Sequence, residues 1–225
     1  MDIIQFLGSK GREIVIFFTF LFSLCFHEFA HGWMARRKGD RTAEMMGRLT
    51  LNPMVHIDWI GTVVLPLFAL FGGFPFFGWA KPVPVNSRNL SHPRQDMFWI
   101  AFAGPLSNML LAICGTIFIF LIVALGSGWS EAPSLIEIAK YFILINMFLA
   151  AFNLLPLHPL DGGKVLARFL PVRWNQALED FQQYAMIVLV LIFVAGAFKY
   201  LAAPVFWISQ KLVSIAFGLG LLLNS

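Results

Sequence analysis

The sequence predicts an all-α polytopic membrane protein of five or six transmembrane helices, with a re-entrant or β-hairpin segment after the first helix. Of its 225 residues, 59% are hydrophobic and the mean hydropathy is +0.76, whereas soluble domains are about 45–50% apolar. Apolar runs of about 20 residues recur, which suffices to cross a hydrocarbon core about 30 Å thick. We therefore expect one integral membrane domain over residues 1–225, with its core at 13–165.

The first predicted span covers residues 14–35 and is followed at once by the densest basic cluster of the chain, Arg36, Arg37, Lys38 and Arg41. The positive-inside rule places this end of the span in the cytoplasm. We expect a multi-pass protein of the plasma membrane. The net charge of +4 reflects loop orientation in such a protein, so no nucleic-acid partner is expected.

The first span contains the motif His-Glu-x-x-His at residues 27–31. Positions i and i+4 share a face of a helix, so His27 and His31 can offer two imidazole nitrogens to one metal ion. Glu28 lies beside them and can take a proton from a metal-bound water. Such groups in hydrocarbon cost several kcal/mol unless they are ligated or paired. A metal site is therefore predicted, with mutual pairing or a proton path as the alternative.

Residues 47–80 form the least regular part of the predicted membrane region. His56 and Asp58 could be a second ligand pair, but we expect them to be interfacial residues satisfied by the backbone. Residues 60–80 are apolar but interrupted by Pro66, Gly72-Gly73 and Pro75. This pattern indicates a broken span or a re-entrant hairpin, which is tolerated where protein buries it.

Two clear spans follow at residues 97–125 and 135–155. The first contains Ala-Gly-Pro-Leu-Ser-Asn at 103–108, where we expect Gly104, Ser107 and Asn108 to serve helix packing. Residues 184–198 and 204–223 are two further apolar runs. The second of these is either a sixth helix or a helix that lies in the interface.

A catalytic tetrahedral site needs a third protein ligand, and the candidates are His158 and Asp161 at the basic-flanked end of the span 135–155. That end meets the histidines only if residues 60–80 cross the membrane an even number of times. The sequence therefore predicts that residues 60–80 dip into the membrane and return. Basic residues on both sides of this segment indicate the same topology.

The motifs HEFAH (27–31) and NLLPLHPLDGG (153–163) together resemble the site-2 protease family of intramembrane zinc metalloproteases. GRLTLNPMVHIDWIGT (47–62), GWAKPVPVN (78–86) and AGPLSN (103–108) resemble its short prokaryotic form. Longer members carry a PDZ domain, for which the stretch between Arg36 and Arg94 is too short.

The resemblance implies one Zn²⁺ per chain, held by His27, His31 and Asp161, with Glu28 as the general base. It also implies that Asn153 and Pro156 lie near the substrate strand, and that a β-hairpin follows the first span. The implied partners are a transmembrane protein substrate and the lipid bilayer, and the implied reaction is hydrolysis of peptide bonds within or near transmembrane segments. The C-terminal helices over 180–225 would gate substrate entry. The basic cluster after the first span, and not the resemblance, predicts that the active site lies toward the cytoplasmic side.

His158 departs from the small residue or proline that is commoner at its position in the family, and it lies three residues before Asp161. Asp161 is the preferred third ligand because Asp-Gly-Gly is the matching element. The alternative function is a small membrane metal-ion or proton transporter that uses the same His, Glu and Asp site. Carriers often contain inverted repeats, and the sequence shows no convincing internal repeat. A diiron oxidase needs many more than the five histidines present.

Overall fold

The computed structural model describes residues 3–72, 78–125 and 129–224. The long helices are α1 (Ile3–Arg37), α4 (Pro93–Leu125), α5 (Ala132–Asn153) and α9 (Phe198–Asn224), and the shorter ones are α2 (Thr42–Met45), α3 (Leu65–Gly72), α6 (Asp161–Ala167), α7 (Val172–Asp180) and α8 (Gln182–Val194). Two 3₁₀ turns (Pro53–Val55 and Ser87–Asn89) and one π-helical segment (Trp59–Val64) complete the regular structure. These three described ranges contain no β-strand. The predicted β-hairpin is therefore not confirmed, and residues 73–77 of that segment lie outside the described part.

Within the described ranges, four helices are long and apolar enough to cross a membrane: Gly11–Arg37, Pro93–Leu125, Ala132–Asn153 and Phe198–Asn224. An all-helical, multi-pass membrane protein is thus confirmed, but the predicted count of five or six spans is not. Helix α8 has 13 residues, which is short of the roughly 17–25 that a membrane-spanning helix requires. The first C-terminal apolar run (184–198) corresponds mainly to α8, and the second (204–223) lies within α9, a helix of 27 residues.

Helix α4 lies at the centre of the bundle and packs against α1, α5 and α9. Small residues let these helices approach closely, as is usual between helices in lipid. A Cβ atom on Gly115 would lie 2.9 Å from Ile143 of α5, and one on Gly220 of α9 would lie 2.7 Å from Val123. Helix α9 is therefore part of the bundle.

Contacts between helix ends show the relative directions of the helices in the bundle. Lys38, just past α1, lies with its Nζ 3.2 Å from a carboxylate oxygen of Asp96 in the first turn of α4. At the opposite end of α4, Val123 accepts a hydrogen bond of 3.4 Å from Asn224 of α9. Helix α1 therefore ends where α4 begins, so these two helices run antiparallel.

The two ends of the apolar segment 60–80 lie side by side. The main-chain N–H groups of Trp79 and Lys81 donate to the carbonyls of Gly61 (3.0 Å) and His56 (2.9 Å), respectively. The hydroxyl of Thr62 donates to the carbonyl of Trp79 at 2.7 Å. A Cβ on Gly61 would lie 2.3 Å from the indole of Trp79, so only glycine permits this approach.

Arg48 forms hydrogen bonds with the main chain on both sides of the apolar segment 60–80. Its guanidinium donates to the carbonyls of Pro82 (2.9 Å), Lys81 (2.9 Å) and Val55 (3.1 Å). The planar guanidinium presents several fixed donors, which suits a group of converging carbonyls. Main-chain oxygens from both stretches are thus held by one side chain.

His56 and Asp58 form hydrogen bonds with the main chain of nearby residues, as predicted, although the buried Nδ1 of His56 has no hydrogen-bond partner among the described residues. His56 is buried, and its Nε2 donates to the carbonyl of Thr50 at 2.8 Å. The carboxylate of Asp58 caps the π-helical segment by accepting from the N–H groups of Ile60 (3.1 Å) and Gly61 (2.8 Å). Neither residue belongs to the metal-ligating cluster described below.

Candidate metal centre

Three predicted ligands from two distant parts of the chain converge inside the bundle. His27 and His31 are one turn apart on α1, and Asp161 is the first residue of α6. Oδ2 of Asp161 lies 3.0 Å from Nε2 of His27 and 3.2 Å from Nε2 of His31, and the two Nε2 atoms are 3.0 Å apart. All three residues are at least nine-tenths buried.

The other nitrogen of each ring is fixed by an oxygen acceptor from α4. Nδ1 of His31 lies 2.7 Å from the main-chain carbonyl of Ile100, and Nδ1 of His27 lies 2.7 Å from Oδ1 of Asn108. Because a carbonyl oxygen only accepts, both Nδ1 atoms carry the hydrogen and donate it. In the neutral rings the Nε2 lone pairs then point at each other and at the carboxylate of Asp161.

This arrangement fits a zinc ion. Three lone-pair donors that face one another repel unless a cation lies between them, and two imidazoles with one carboxylate are a catalytic zinc donor set. A tetrahedral ion with bonds of about 2.0–2.1 Å separates its ligand atoms by about 3.3 Å, close to the observed spacing. Room for an ion exists because α4 carries Gly104 here. A Cβ at that position would lie 2.4 Å from Nε2 of His31 and 2.6 Å from Nε2 of His27.

Two glycines after Asp161 allow the loop that ends α5 to pack against the start of α6. A Cβ on Gly162 would lie 2.2 Å from the carbonyl oxygen of Leu155, and one on Gly163 would lie 2.9 Å from the main chain of His158. The Asp-Gly-Gly motif therefore brings the carboxylate into the bundle by removing the side chains that would block it.

His158 does not join the ligand cluster. Its ring packs beside Gly163, and its buried Nε2 has no hydrogen-bond partner among the described residues. Burial, together with the positive charge of Lys164, lowers the pKa of His158. Of the two candidates for third ligand, the structure brings Asp161 to the histidines and leaves His158 outside.

Glu28 faces a cavity of about 370 Å³ beside the ligands. Its Oε2 accepts a hydrogen bond of 2.8 Å from the main-chain N–H of Val83, in the segment 78–86. Asn153 also lines this cavity, whereas Pro156 is exposed and does not. The amide nitrogen of Asn153 donates to the carbonyl of Leu149 in its own helix at 3.0 Å. The roles predicted for Asn153 and Pro156 in substrate binding stay predictions.

The sequence predicts only a helix-packing role for two residues, Gly104 and Asn108, that also contact the histidines in the structure. Gly104 and Asn108 were expected to serve helix packing, yet Gly104 makes room for the ligands and Asn108 binds His27. The available signal was their spacing. Gly104 and Asn108 lie one turn apart and share a face of α4. A carboxamide in the middle of an apolar span also needs a partner.

An HExxH helix and a remote aspartate, buried together in a bundle of membrane-spanning helices, define a membrane-embedded metallopeptidase. The family model described as Peptidase family M50 matches residues 15–131 and 121–196. The chain belongs to peptidase family M50, and its resemblance to the site-2 proteases is confirmed.

Two similar proteins carry the name of zinc metalloproteases. "Putative zinc metalloprotease YwhC" of Bacillus subtilis is 37% identical over 188 residues, which cover 83% of this chain and 83% of that protein. "Putative zinc metalloprotease Rip2" of Mycolicibacterium smegmatis is 28% identical over 209 residues, covering 92% of this chain and 77% of that protein. No solved structure matches the chain significantly.

Proposed function

We propose that this protein is an intramembrane zinc metalloendopeptidase that hydrolyses peptide bonds within or near the transmembrane segments of other membrane proteins. The observation that carries the proposal is the convergence of His27, His31 and Asp161 beside the carboxylate of Glu28, at a cavity inside the bundle. Family membership supports the peptidase chemistry, and the names of the relatives support zinc as the metal.

The residues divide the chemistry among them. A zinc ion held by His27, His31 and Asp161 would supply a Lewis acid and an acidified water. Glu28 is proposed to accept the proton of the attacking water and then to deliver it to the leaving amine. The N–H of Val83 holds one carboxylate oxygen of Glu28, which leaves the other oxygen available for this proton.

The substrate must lose its helical structure before cleavage, because a helix hides its carbonyls in i to i−4 hydrogen bonds. Glycine or proline near the scissile bond lowers the cost of this step. Asn153 is proposed to bind the unwound strand, since unpaired main-chain groups in lipid cost several kcal/mol each. Pro156 is proposed to lie near the same strand, at the rim beyond the cavity.

We further propose a plasma-membrane topology with the metal centre toward the cytoplasm, because Arg36, Arg37 and Lys38 follow the histidines directly. The segment 60–80 is proposed to enter the membrane and return, which its paired ends support. Residues 13–165 would be the catalytic core of a single domain. The C-terminal residues 180–225 would control lateral access, since Leu189 of α8 lines the cavity and Phe198 of α9 packs on Phe148.

The test is cleavage of a single-span model substrate by the purified protein in detergent, with wild type beside Glu28→Gln and zinc counted in both. We expect about one zinc per chain in both proteins, since Glu28 is not a ligand, and cleavage by wild type only. Equal cleavage by the two proteins would exclude Glu28 as the general base. Zinc without cleavage of a glycine-rich substrate, together with zinc or proton flux in vesicles that Glu28→Gln abolishes, would favour the transporter instead.

A further inference from the structure

Helix α4 meets the two metal-binding histidines at three positions one turn apart, Ile100, Gly104 and Asn108, which share one face of the helix. Ile100 contributes a main-chain carbonyl, Gly104 contributes space, and Asn108 contributes a side-chain amide. The main chain therefore orients the ring of His31, whereas the ring of His27 is oriented by a side chain. Only the second arrangement depends directly on the identity of one residue.

We propose that Asn108 is a positioning residue for the metal centre, which sets the tautomer and the ring orientation of His27, and that Asn146 and Ser23 fix Asn108 in turn. The proposal rests on zinc binding at the site described above. Metal-ligating histidines generally donate their second ring nitrogen to an oxygen acceptor, which fixes the tautomer and raises the basicity of the ligating nitrogen.

The hydrogen bonds of Asn108 allow only one orientation of its amide. Nδ2 donates to Oδ1 of Asn146 at 2.9 Å and to the main-chain carbonyl of Ser23 at 3.3 Å. Rotation of the amide by 180° would place Oδ1 against these two acceptors and Nδ2 against the N–H of His27. Because every contact would then join like to like, Oδ1 must face His27.

The side-chain amide of Asn146, on α5, also has hydrogen-bond partners at both its oxygen and its nitrogen. Its Nδ2 donates to Oγ of Ser23 and to the carbonyl of Phe142, each at 2.9 Å. The hydroxyl of Ser23 donates in turn to the carbonyl of Thr19 at 2.8 Å. Asn108, Asn146 and Ser23 are all fully buried, and in a low-dielectric interior such a saturated network specifies one arrangement.

Helix packing alone does not account for this network. A packing role would be met by small or apolar side chains at the contact of α1, α4 and α5, as it is at Gly115 and Ile143. Here a chain of amides starts on α5 and ends on Nδ1 of His27, the ring nitrogen opposite the one that faces Asp161 and His31. Since an amide accepts a hydrogen bond without carrying charge, it fixes His27 and leaves Asp161 as the anionic ligand of the cluster.

The experiment compares the zinc affinity of four purified full-length proteins by chelator competition in detergent: wild type, Asn108→Leu, Asn108→Asp and Thr116→Val. Asn108→Leu removes the acceptor at similar volume, and we expect zinc to bind about 10–100-fold more weakly. Asn108→Asp keeps an oxygen toward His27 but loses the donor toward Asn146 and Ser23, so its affinity should lie between those of wild type and Asn108→Leu. Thr116→Val is the matched control, because Thr116 lies on the same helix and its hydroxyl donates to the carbonyl of Ala112 in that helix, away from the histidines.

Thermal unfolding of the metal-free proteins separates positioning from a purely structural role. A structural role alone would lower the unfolding temperature of Asn108→Leu without weakening zinc binding by the folded fraction, and this result would overturn the proposal. The visible spectrum of the Co²⁺-substituted proteins provides a second readout of ligand geometry, which should change in Asn108→Leu and remain in Thr116→Val.

If Asn108→Leu does not fold, Asn108→Asp and Ser23→Ala carry the test. Asn108→Asp should then bind zinc more weakly than wild type does, because it loses the donor toward Asn146 and Ser23. Ser23→Ala removes only the far end of the network and should cause a smaller loss than the change at Asn108. Wild-type affinity in Asn108→Asp, or a loss in Ser23→Ala as large as that in Asn108→Asp, would contradict the proposed order. Failure of wild type itself to bind zinc would refute the proposed function instead, so the two failures are distinguishable.

Discussion

The two sides of the metal centre are built differently. On the side of α4, each histidine nitrogen that faces the helix has an oxygen acceptor, and Asn108 continues into a saturated buried network. On the opposite side, one main-chain hydrogen bond from Val83 holds Glu28, and a cavity of about 370 Å³ begins beside it. The proposed ligands are thus held by several hydrogen bonds within the bundle, whereas the proposed general base is held by one and lines the cavity.

The largest effect is expected from Gly104→Ala, which places a methyl group against both ligating nitrogens. The rings would have to move, and movement breaks their hydrogen bonds to Ile100 and Asn108. We expect loss of stoichiometric zinc at metal concentrations that saturate wild type, with the helical content retained. Zinc analysis and circular dichroism on the purified protein check this outcome.

The matched control is Gly115→Ala on the same helix. A Cβ there would lie 2.9 Å from Ile143 and 3.1 Å from Phe142, so overpacking should destabilise the bundle by about 1–3 kcal/mol without removing zinc. If both alanine variants keep their zinc, Gly104 is a packing residue, and the difference between the two sides of the site is smaller than we infer.

An intermediate effect, on kcat and not on zinc content, is expected from Val83→Pro on the cavity side of the site. Proline has no N–H to donate to Glu28, and its neighbours Pro82 and Pro84 already favour extended backbone. Zinc content should stay at the wild-type level. The value of kcat should fall by about 10–100-fold, because small displacements of a catalytic group cost rates of this size. Steady-state cleavage of the single-span substrate measures it.

Val83→Ala is the companion variant, since it trims the side chain and keeps the N–H. Its kcat should remain close to that of wild type. An equal loss of activity in the alanine and proline variants would show that the side chain of Val83, and not its main-chain N–H, is what Glu28 requires.

The sequence predicts the three residues of the metal-ligating cluster by two different routes. His27 and His31 share a helix face through their i, i+4 spacing, whereas Asp161 is preferred to His158 through the family resemblance, in which Asp-Gly-Gly is the matching element. The partners of the ligands on α4 were not predictable in the same way. Asn108 reaches His27 only through the register of α4 against α1, and the pattern of one helix does not contain the register of two.

The number of spans and the β-hairpin were also not predictable from the sequence pattern alone. Hydropathy identified apolar runs, but it does not distinguish the 13 residues of α8 from a span until the helix ends are known. The β-hairpin implied by the resemblance would need ladder donors, yet Pro82 and Pro84 have no N–H to donate. The segment 78–86 accordingly contains no β-strand, and its carbonyls at Lys81 and Pro82 accept hydrogen bonds from Arg48.

The smallest effect on the metal centre is expected at Asp40. Its carboxylate accepts a hydrogen bond of 2.7 Å from the N–H of Asn86, the last residue of the segment 78–86, and so holds that end of the segment. Burial raises the pKa of its carboxyl, but hydrogen bonds from Thr42, Asn89 and the N–H of Asn86 outweigh burial and lower the pKa below its ordinary value of 3.8. The carboxylate therefore stabilises the fold at pH values above about 4, and this stabilisation is lost as the pH falls through the depressed pKa.

Asp40→Asn should reduce the free energy of unfolding by about 1.5–3 kcal/mol at neutral pH, as expected for lost hydrogen bonds to a charged group. It should leave zinc content and kcat near wild type. Because the wild-type advantage depends on the charged form, thermal unfolding curves in detergent should converge as the pH falls from about 5 to about 2. Glu44→Gln is the control, since Glu44 pairs with Arg41 at 2.7 Å on the surface and should matter little. A difference between wild type and Asp40→Asn that is constant over this range would show that the anchor acts by shape, without the charge.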